Sequence, residues 1–232
     1  MLKNRLFLRT AHSSSRGGFT LVELLVVIGI IAILAGVALG PITNGIKQAQ
    51  HNAAMQTGRQ IGQMCFSYAT DNTTNGGQYP SGTTALIIAQ SLINSNYASD
   101  PSVFGVTQQS GFTKATTSGS TVTLVAHSVS WSFTIAADGT SGISSTTSDL
   151  IPLVYFNNGF GVAVTSAFPV TPGTQQNVAY GSNSPFAGDG AAIFFKGNNA
   201  VYEKAGSGGS PSGDVPFISA NCTDTTTYIV AP

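Results

Sequence analysis

The sequence predicts an α+β fold in which one long N-terminal α-helix packs on an antiparallel β-sheet. Three observations support this fold class. An uninterrupted apolar run covers residues 19–41, an amphipathic helical pattern continues it to about residue 71, and short strand patterns separated by turn residues follow from about residue 100. A helix with one apolar face and a set of short strands bury their apolar surfaces best against each other.

The first half of the long helix has the length and composition of a membrane span. No charged side chain occurs from Leu24 to Ile46, and at about 1.5 Å per residue these roughly 23 residues extend about 34 Å as a helix. The hydrocarbon core of a bilayer is about 30 Å thick. We therefore expect residues 19–41 to form a transmembrane segment, with Glu23 at its rim, where a carboxylate close to hydrocarbon is costly.

The second half of the helix has an amphipathic pattern. Apolar or small side chains recur every three or four residues, which predicts one stripe that faces the sheet. The predicted stripe consists of Ile42, Ile46, Ala49, Ala53, Thr57, Ile61, Met64 and Tyr68. The glycines of the helix and Pro41 are expected to weaken it locally, because glycine costs about 1 kcal/mol relative to alanine and proline removes a backbone hydrogen bond.

A second helix and a series of strands follow. The helix is predicted from Thr83 to Asn94, with Ser81 or Thr83 as its N-cap. Its predicted apolar face consists of Leu86, Ala89, Leu92 and Ile93. Turn residues indicate two hairpins, one joining 151–156 to 160–165 through Asn157-Asn158-Gly159 and one joining 191–196 to 200–204 through Gly197-Asn198-Asn199. Further strands are predicted at 121–126, 129–135, 215–219 and 227–230.

A short motif stands at the start of the apolar run. Gly18 is followed by Phe19, Thr20, Leu21, Val22 and Glu23, and then by an almost pure Leu/Val/Ile/Ala segment. This arrangement resembles the processing and methylation signature of type IV pilins and type II secretion pseudopilins. The resemblance implies that a prepilin peptidase cleaves between Gly18 and Phe19, that Phe19 is N-methylated, and that Glu23 takes part in the assembly of subunits.

The resemblance also implies a domain organisation. Residues 1–18 would be a prepilin leader, residues 19–41 the transmembrane and assembly helix, and residues 42–232 a pilin-like α+β globular domain that includes the amphipathic half of the helix. The leader is basic and lacks acidic residues, so the positive-inside rule places the N-terminus in the cytoplasm. We expect a single-pass protein of the bacterial inner membrane whose globular domain is periplasmic, or at the cell surface after assembly into a filament.

An ordinary secretory signal is the alternative interpretation of the N-terminal segment, because it too has a basic start and an apolar middle. The apolar run is longer than that of a typical signal, and it has Glu23 at its head. Both features favour a retained helix over a removed signal.

Composition favours a structural protein over an enzyme or a nucleic-acid-binding protein. Charged residues make up 8% of the chain, and removal of residues 1–18 would leave five basic against nine acidic residues, a net charge of about −4. An acidic domain gives no support to nucleic-acid binding. The sequence contains no HExxH, no CxxC, no GxSxG and no Walker loop, and no catalytic residues are predicted.

The leading hypothesis is a structural subunit of a type IV pilus or a type II secretion pseudopilus. Its expected partners are other pilin subunits, the prepilin peptidase, an inner-membrane assembly platform, and membrane lipid before assembly. Two alternatives stay open. The first is a binding module, either a minor or tip pilin or an anchored adhesin-like protein. The second is an enzyme that uses the helix only as a tether.

Two further features concern the globular domain. Cys65 and Cys222 could form a disulfide in an oxidising compartment, or they could be two small buried residues. No cofactor or metal is predicted, although some pseudopilins bind calcium in terminal loops. The loop carboxylates that could contribute to a calcium site are those of Asp71, Asp138, Asp189 and Asp214, and such residues are more often simple turn residues.

Overall fold

The computed structural model describes residues 18–71, 77–162, 165, 167–207 and 214–231. Contacts within the chain separate it into one unit that ends at Lys47 and a second that begins at Gln48. The boundary predicted at Pro41 marks the end of the transmembrane segment, whereas the boundary after Lys47 is defined by contacts within the chain. The end of the transmembrane segment at Pro41 therefore stays a prediction.

Helix α1 extends from Leu21 to Asp71 and contains Pro41. Its part in the first unit is exposed along its whole length, and no side chain from Gly18 to Ala49 is buried. The helix continues through Gly40 and Pro41, where the Thr43 hydroxyl donates to the Gly40 carbonyl at 2.8 Å. The expectation that glycine and proline weaken α1 locally, so that it could bend when subunits pack, stays a prediction.

In the second unit, one stripe of α1 is buried against the sheet. The stripe consists of His51, Ala54, Gly58, Ile61, Gly62, Cys65 and Ala69. Of the eight residues predicted to face the sheet, Ile61 is buried, and Met64 and Tyr68 are half-buried against the core. Most of the other buried positions lie one residue later than predicted, so the predicted stripe was only partly right. The physical reason is close approach of helix and sheet: a Cβ atom on Gly58 would be 3.2 Å from the Trp131 ring. The face of α1 that contacts the sheet consists mainly of small residues, so it cannot be located from the spacing of large apolar side chains.

Helix α2 extends from Ala85 to Asn94, and its existence was predicted correctly. Its N-cap is Thr84, whose hydroxyl accepts from the Ile87 N–H at 3.3 Å, so the predicted caps Ser81 and Thr83 were wrong. The face of α2 buried in the core consists of Ala85, Ile88, Ala89 and Leu92.

Ten strands follow among the described residues, all paired antiparallel. They are β1 Thr116–Ser118, β2 Thr121–Thr123, β3 Trp131–Ile135, β4 Pro152–Phe156, β5 Ala167–Pro169, β6 Gln176–Ala179, β7 Gly190–Phe195, β8 Asn199–Lys204, β9 Asp214–Ile218 and β10 Thr227–Ala231. Six of them form the main sheet in the order β5-β10-β3-β4-β7-β8, while β1 pairs with β2 and β6 with β9. The α+β fold class predicted from the sequence is confirmed.

The core lies around the central strands of the main sheet. Every residue of β3 and of β4 is buried, so both faces of these strands are covered. Aromatic rings fill the space: Trp131 lies 4.7 Å from Phe156, and Tyr155 meets Phe217 edge-on at 4.7 Å between ring centroids. Aromatic pairs of this kind add to the stabilisation that burial alone provides.

One predicted hairpin is confirmed and the other is wrong. Strands β7 and β8 pair from Gly190↔Lys204 to Phe195↔Asn199, as their turn residues indicated. Strand β4 pairs instead with β3 and β7. Residues 160–162 form no strand, and residues 163 and 164 of the predicted partner lie outside the described residues.

The side chain of Asn157 explains why the chain turns locally after β4. It is buried, donates to the Val129 carbonyl at 3.1 Å and accepts from the Gln109 amide at 2.7 Å. Asn158 N–H then donates to the Val162 carbonyl, which closes a local turn. Asn157 is thus a buried hydrogen-bonding residue and not a residue of the two-strand hairpin turn that the residue types predicted.

Candidate functional site at the N-terminal segment

The predicted cleavage junction lies directly before helix α1. Gly18, Phe19 and Thr20 have no regular secondary structure, and all three are exposed. Phe19 is 81% exposed, and a Cβ atom on Gly18 would meet no atom within 4 Å. A peptide bond in such a segment can enter a protease active site without unfolding of the helix. Residues 1–17 of the predicted leader lie outside the described residues.

Thr20 and Glu23 form a capping box at the start of α1. The Glu23 carboxylate oxygen Oε2 accepts from the Thr20 backbone N–H and from the Thr20 hydroxyl, each at 2.8 Å. In return, the Thr20 hydroxyl accepts from the Glu23 N–H at 3.2 Å. This reciprocal pattern satisfies backbone donors that have no partner within the helix. Glu23 also lies in the first turn, where the helix dipole favours a negative charge.

The capping box is a functional feature that the sequence interpretation missed. A Thr-x-x-Glu spacing immediately before an apolar run is its ordinary sequence signal, and residues 20–23 carry it. Glu23 was treated as an unpaired carboxylate at the membrane boundary. In the structure it is paired within its own chain, and both bonds reach the same oxygen. Oε1 accepts no hydrogen bond from the described residues.

The apolar segment that follows has no cover of its own. Its large side chains are exposed, from 46% for Val27 to 80% for Leu21. Within the described part of the chain, α1 is the one helix long and apolar enough to cross a membrane. These properties fit a single-pass, membrane-anchored protein.

The two cysteines are buried and free in the structure. Cys222 Sγ lies 3.7 Å from the Ser148 hydroxyl oxygen, and burial raises the pKa of the Cys65 thiol. The structure thus does not contain the disulfide considered from the sequence. A disulfide in the exported protein stays a prediction.

The four loop carboxylates considered for calcium each have a separate role. Asp71 accepts from the Tyr97 hydroxyl at 3.1 Å, and Asp189 pairs with His51 at 3.1 Å. Asp138 accepts from two backbone N–H groups in its own turn, and Asp214 begins strand β9. Among the described residues, no three His, Cys, Asp or Glu side chains are grouped closely enough to hold one ion. The absence of a cofactor stays a prediction, with calcium binding as its untested alternative.

Two histidines of the described residues belong to different environments. His51 is buried on α1 beside Asp189, whereas His127 is exposed and stacks on Phe160 with 5.0 Å between ring centroids.

Comparison with known proteins points to the same N-terminal segment. Residues 13–39 match the family model of the prokaryotic N-terminal methylation motif, which is the signature of type IV pilins and pseudopilins. No curated protein and no solved structure shows significant similarity to the chain. The chain therefore carries the signature of a pilin-like or pseudopilin precursor that is processed at its N-terminus.

Proposed function

We propose that the protein is a structural subunit of a type IV pilus-like or type II secretion pseudopilus filament. In this proposal a prepilin peptidase cleaves the chain after Gly18, Phe19 becomes the methylated first residue, and the mature subunits associate through the apolar part of α1. The single observation that carries the proposal is the match of residues 13–39 to the methylation motif, at the start of a helix whose apolar side chains are all exposed as far as Ala49.

The exposed apolar helix explains why assembly would begin in a membrane. Burial of apolar surface is worth roughly 25 cal/mol per Å², so a helix with this many exposed Leu, Ile and Val side chains needs a cover. Lipid provides the cover before assembly. When a subunit leaves the bilayer, the same helices of other subunits provide it, and the segment remains out of water throughout.

The capping box suggests how Glu23 could serve assembly without being left unpaired. Its Oε2 is occupied by Thr20, whereas Oε1 is open. Cleavage after Gly18 would create a new α-amino group on Phe19, and a methylated amine keeps its positive charge. In a filament this amine of one subunit would donate to Oε1 of Glu23 on the next. A charge-assisted hydrogen bond of this kind has directional geometry, so it would fix the position of one helix along another.

The proposal assigns partners and location together. The partners are other pilin subunits, the peptidase that acts on the cytoplasmic side, and an inner-membrane platform that extracts the subunits. The globular unit would lie in the periplasm, or at the cell surface once the filament has formed. Whether the filament is a pilus or a pseudopilus is a question of the export machinery encoded beside the gene.

N-terminal sequencing of the protein isolated from the cell envelope tests the proposal. We expect the mature chain to begin at Phe19, to carry a methylated α-amino group, and to retain the apolar helix. A matched sample from cells without prepilin peptidase should retain residues 1–18. A mature chain that begins beyond the apolar run would identify an ordinary secretory signal and would overturn the proposal.

A further inference from the structure

His51 is the first buried residue of α1 and the only ionisable imidazole in the stripe that faces the sheet. The residue is 4% exposed. Its Nε2 lies 3.1 Å from the Asp189 carboxylate oxygen Oδ2, and its ring stacks on the Tyr202 ring, with 3.8 Å between centroids and 10° between planes. A buried imidazole is tolerated only where such partners replace water.

The turn that supplies Asp189 has an unusual backbone. Phe186, Ala187 and Gly188 all have positive φ angles, of 59°, 53° and 81°. The left-handed region is unfavourable for residues with a side chain, so such a run persists only where its surroundings hold it.

Hydrogen bonds and a ring contact hold this turn. The Ser184 hydroxyl accepts from the Gly188 N–H at 3.1 Å, and the Asp189 N–H donates to the Phe186 carbonyl at 3.1 Å. The Phe186 ring packs on Phe156 in the core, with 5.7 Å between centroids. The Asp189 carboxylate is thereby held at a fixed place beside His51.

The segment of α1 next to His51 has little else to hold it. Between His51 and Ile61 the buried positions are Ala54 and Gly58, which bury small apolar areas. Residues 18–49 are exposed. Segments with few buried apolar contacts are those that open most readily in native proteins. His51 is therefore the main anchor of the first turns of α1 in the second unit.

We propose that His51 and Asp189 form a pH-responsive latch that holds residues 51–58 of α1 against the sheet, closed most firmly when His51 is protonated. An imidazolium donates a charge-assisted hydrogen bond to a carboxylate, which is about twice as strong as the bond from a neutral imidazole. The parallel face of Tyr202, within cation–π range, also favours the positive form.

Other titratable and charged groups lie on the elements near His51. Burial, together with the nearby charge of Asp189, raises the pKa of the Tyr202 phenol, so Tyr202 stays neutral in this range. On strand β8, Glu203 and Lys204 follow Tyr202, and the Glu203 carboxylate accepts from the Ser207 hydroxyl at 3.1 Å. On α1 itself, the nearest charged residue in sequence is Lys47. Asp189 is the acidic group within ion-pair distance of the ring.

The direction in which pH changes the stability of the latch can be measured. Its extra stabilisation is present at pH values where histidine side chains are protonated and is lost as pH rises through that range, near pH 6.5 for an unperturbed histidine. Acid would therefore hold residues 51–58 in place, and alkali would free the first turns of the helix while the sheet stays folded. The inference concerns the second unit alone and does not depend on filament formation.

Amide hydrogen exchange on the full chain in detergent tests the latch. After correction for intrinsic exchange rates, the amides of residues 52–58 should open about fivefold more often at pH 8 than at pH 5.5, the factor expected from the difference between a charge-assisted and a neutral hydrogen bond. Asp189→Asn should open at the pH 8 rate of the wild type at both pH values. Asp149→Asn is the matched control, because it removes an exposed carboxylate that pairs with Lys196 instead, and it should keep the wild-type response.

Two results would overturn the latch: equal opening of wild-type residues 52–58 at the two pH values, or an unchanged pH response in Asp189→Asn. The amides of strand β4 serve as the internal reference for global unfolding, because every residue of that strand is buried. His51→Gln provides a second test, with opening that is raised and independent of pH. If that variant fails to fold, the comparison of wild type with Asp189→Asn decides the question.

Discussion

Gly62 of α1 lies so close to Phe194 of β7 that a Cβ atom on the glycine would be 2.0 Å from the Phe194 ring. Phe194 is 2% exposed, so its ring is almost completely enclosed by neighbouring atoms. The glycine is therefore required by helix–sheet packing, although glycine in the interior of a helix is unfavourable by itself. One turn earlier, Gly58 has the same relation to the Trp131 ring, at 3.2 Å.

Gly62→Ala should destabilise the second unit by about 1–3 kcal/mol, because the added methyl group overpacks the core. Gly45→Ala is the matched control on the same helix, since a Cβ atom there meets nothing within 4 Å. That change should be neutral or stabilising by about 0.5–1 kcal/mol, the difference in helix propensity. Denaturant unfolding of the two variants in detergent measures both effects. Equal stability of the two variants would show that the helix does not approach the sheet as closely as described.

The same contact explains what the sequence could and could not predict about the fold. The length of α1, the existence of α2, the β7–β8 hairpin and the last two strands follow from local patterns, and they are confirmed. The buried face of α1 depends on the distance between helix and sheet, which no local pattern contains. The prediction placed large side chains towards the sheet. In the structure Gly58 and Gly62 lie there instead, and the rings of Trp131 and Phe194 pack directly against them.

Glu23→Ala should leave processing intact and strongly reduce assembly. Cleavage depends on the exposed residues before the helix, which the substitution does not change, whereas the carboxylate is the proposed partner of a neighbouring Phe19 amine. Glu203→Ala is the matched control, because Glu203 is the other glutamate of the chain and lies on β8. Sheared filaments from cells expressing each variant, quantified against total mature protein, measure the effect. Filaments in normal amount from Glu23→Ala would remove the assembly role while leaving cleavage at Gly18 in place.

The N-terminal motif could be recognised from the sequence, whereas the geometry around it could be predicted only in part. Gly18, Phe19 and Glu23 are recognisable because an aromatic residue and an acid at fixed offsets before an apolar run are rarely combined. The hydrogen bond between Thr20 and Glu23 also has a local sequence signal, the Thr-x-x-Glu spacing of a capping box, so this part of the geometry was predictable from the sequence. The His51–Asp189 pair joins residues far apart in sequence, and local patterns do not show such pairs.

The turn at Asp138 should make a pH-dependent contribution to stability. Hydrogen bonds from the side chain and N–H of Ser141, and from the N–H of Thr140, lower the pKa of the Asp138 carboxyl from its ordinary value near 3.8 to about 2. A carboxylate with a depressed pKa in the folded state stabilises the protein above its unfolded value, and this contribution disappears as pH falls through the folded value. The relevant window is therefore about pH 4 to pH 2.

Asp138→Asn should consequently have a lower melting temperature than the wild type at pH 6, and the difference should shrink towards pH 2. Thermal unfolding followed by circular dichroism at several pH values across the window measures this. Asp149→Asn serves as the control for loss of an exposed carboxylate from the same unit. A constant difference between Asp138→Asn and wild type at every pH would mean that charge has no part in the effect.

The thiols of Cys65 and Cys222 should react with an alkylating reagent only after the protein unfolds. Both residues are 1% exposed, so the reagent cannot reach either sulfur in the folded protein. Burial also raises the pKa of the Cys65 thiol, which leaves little of its reactive thiolate at neutral pH. Mass spectrometry of protein from the cell envelope, alkylated without reductant, should show no modification in the native state and two modified cysteines in denaturant. Cys65→Ser should cost about 1–3 kcal/mol, because a buried hydroxyl needs a hydrogen-bond partner, and Cys65→Ala separates that cost from the loss of volume. Recovery of a peptide that joins the two cysteines, in place of two alkylated thiols, would show that the exported protein forms the disulfide after all.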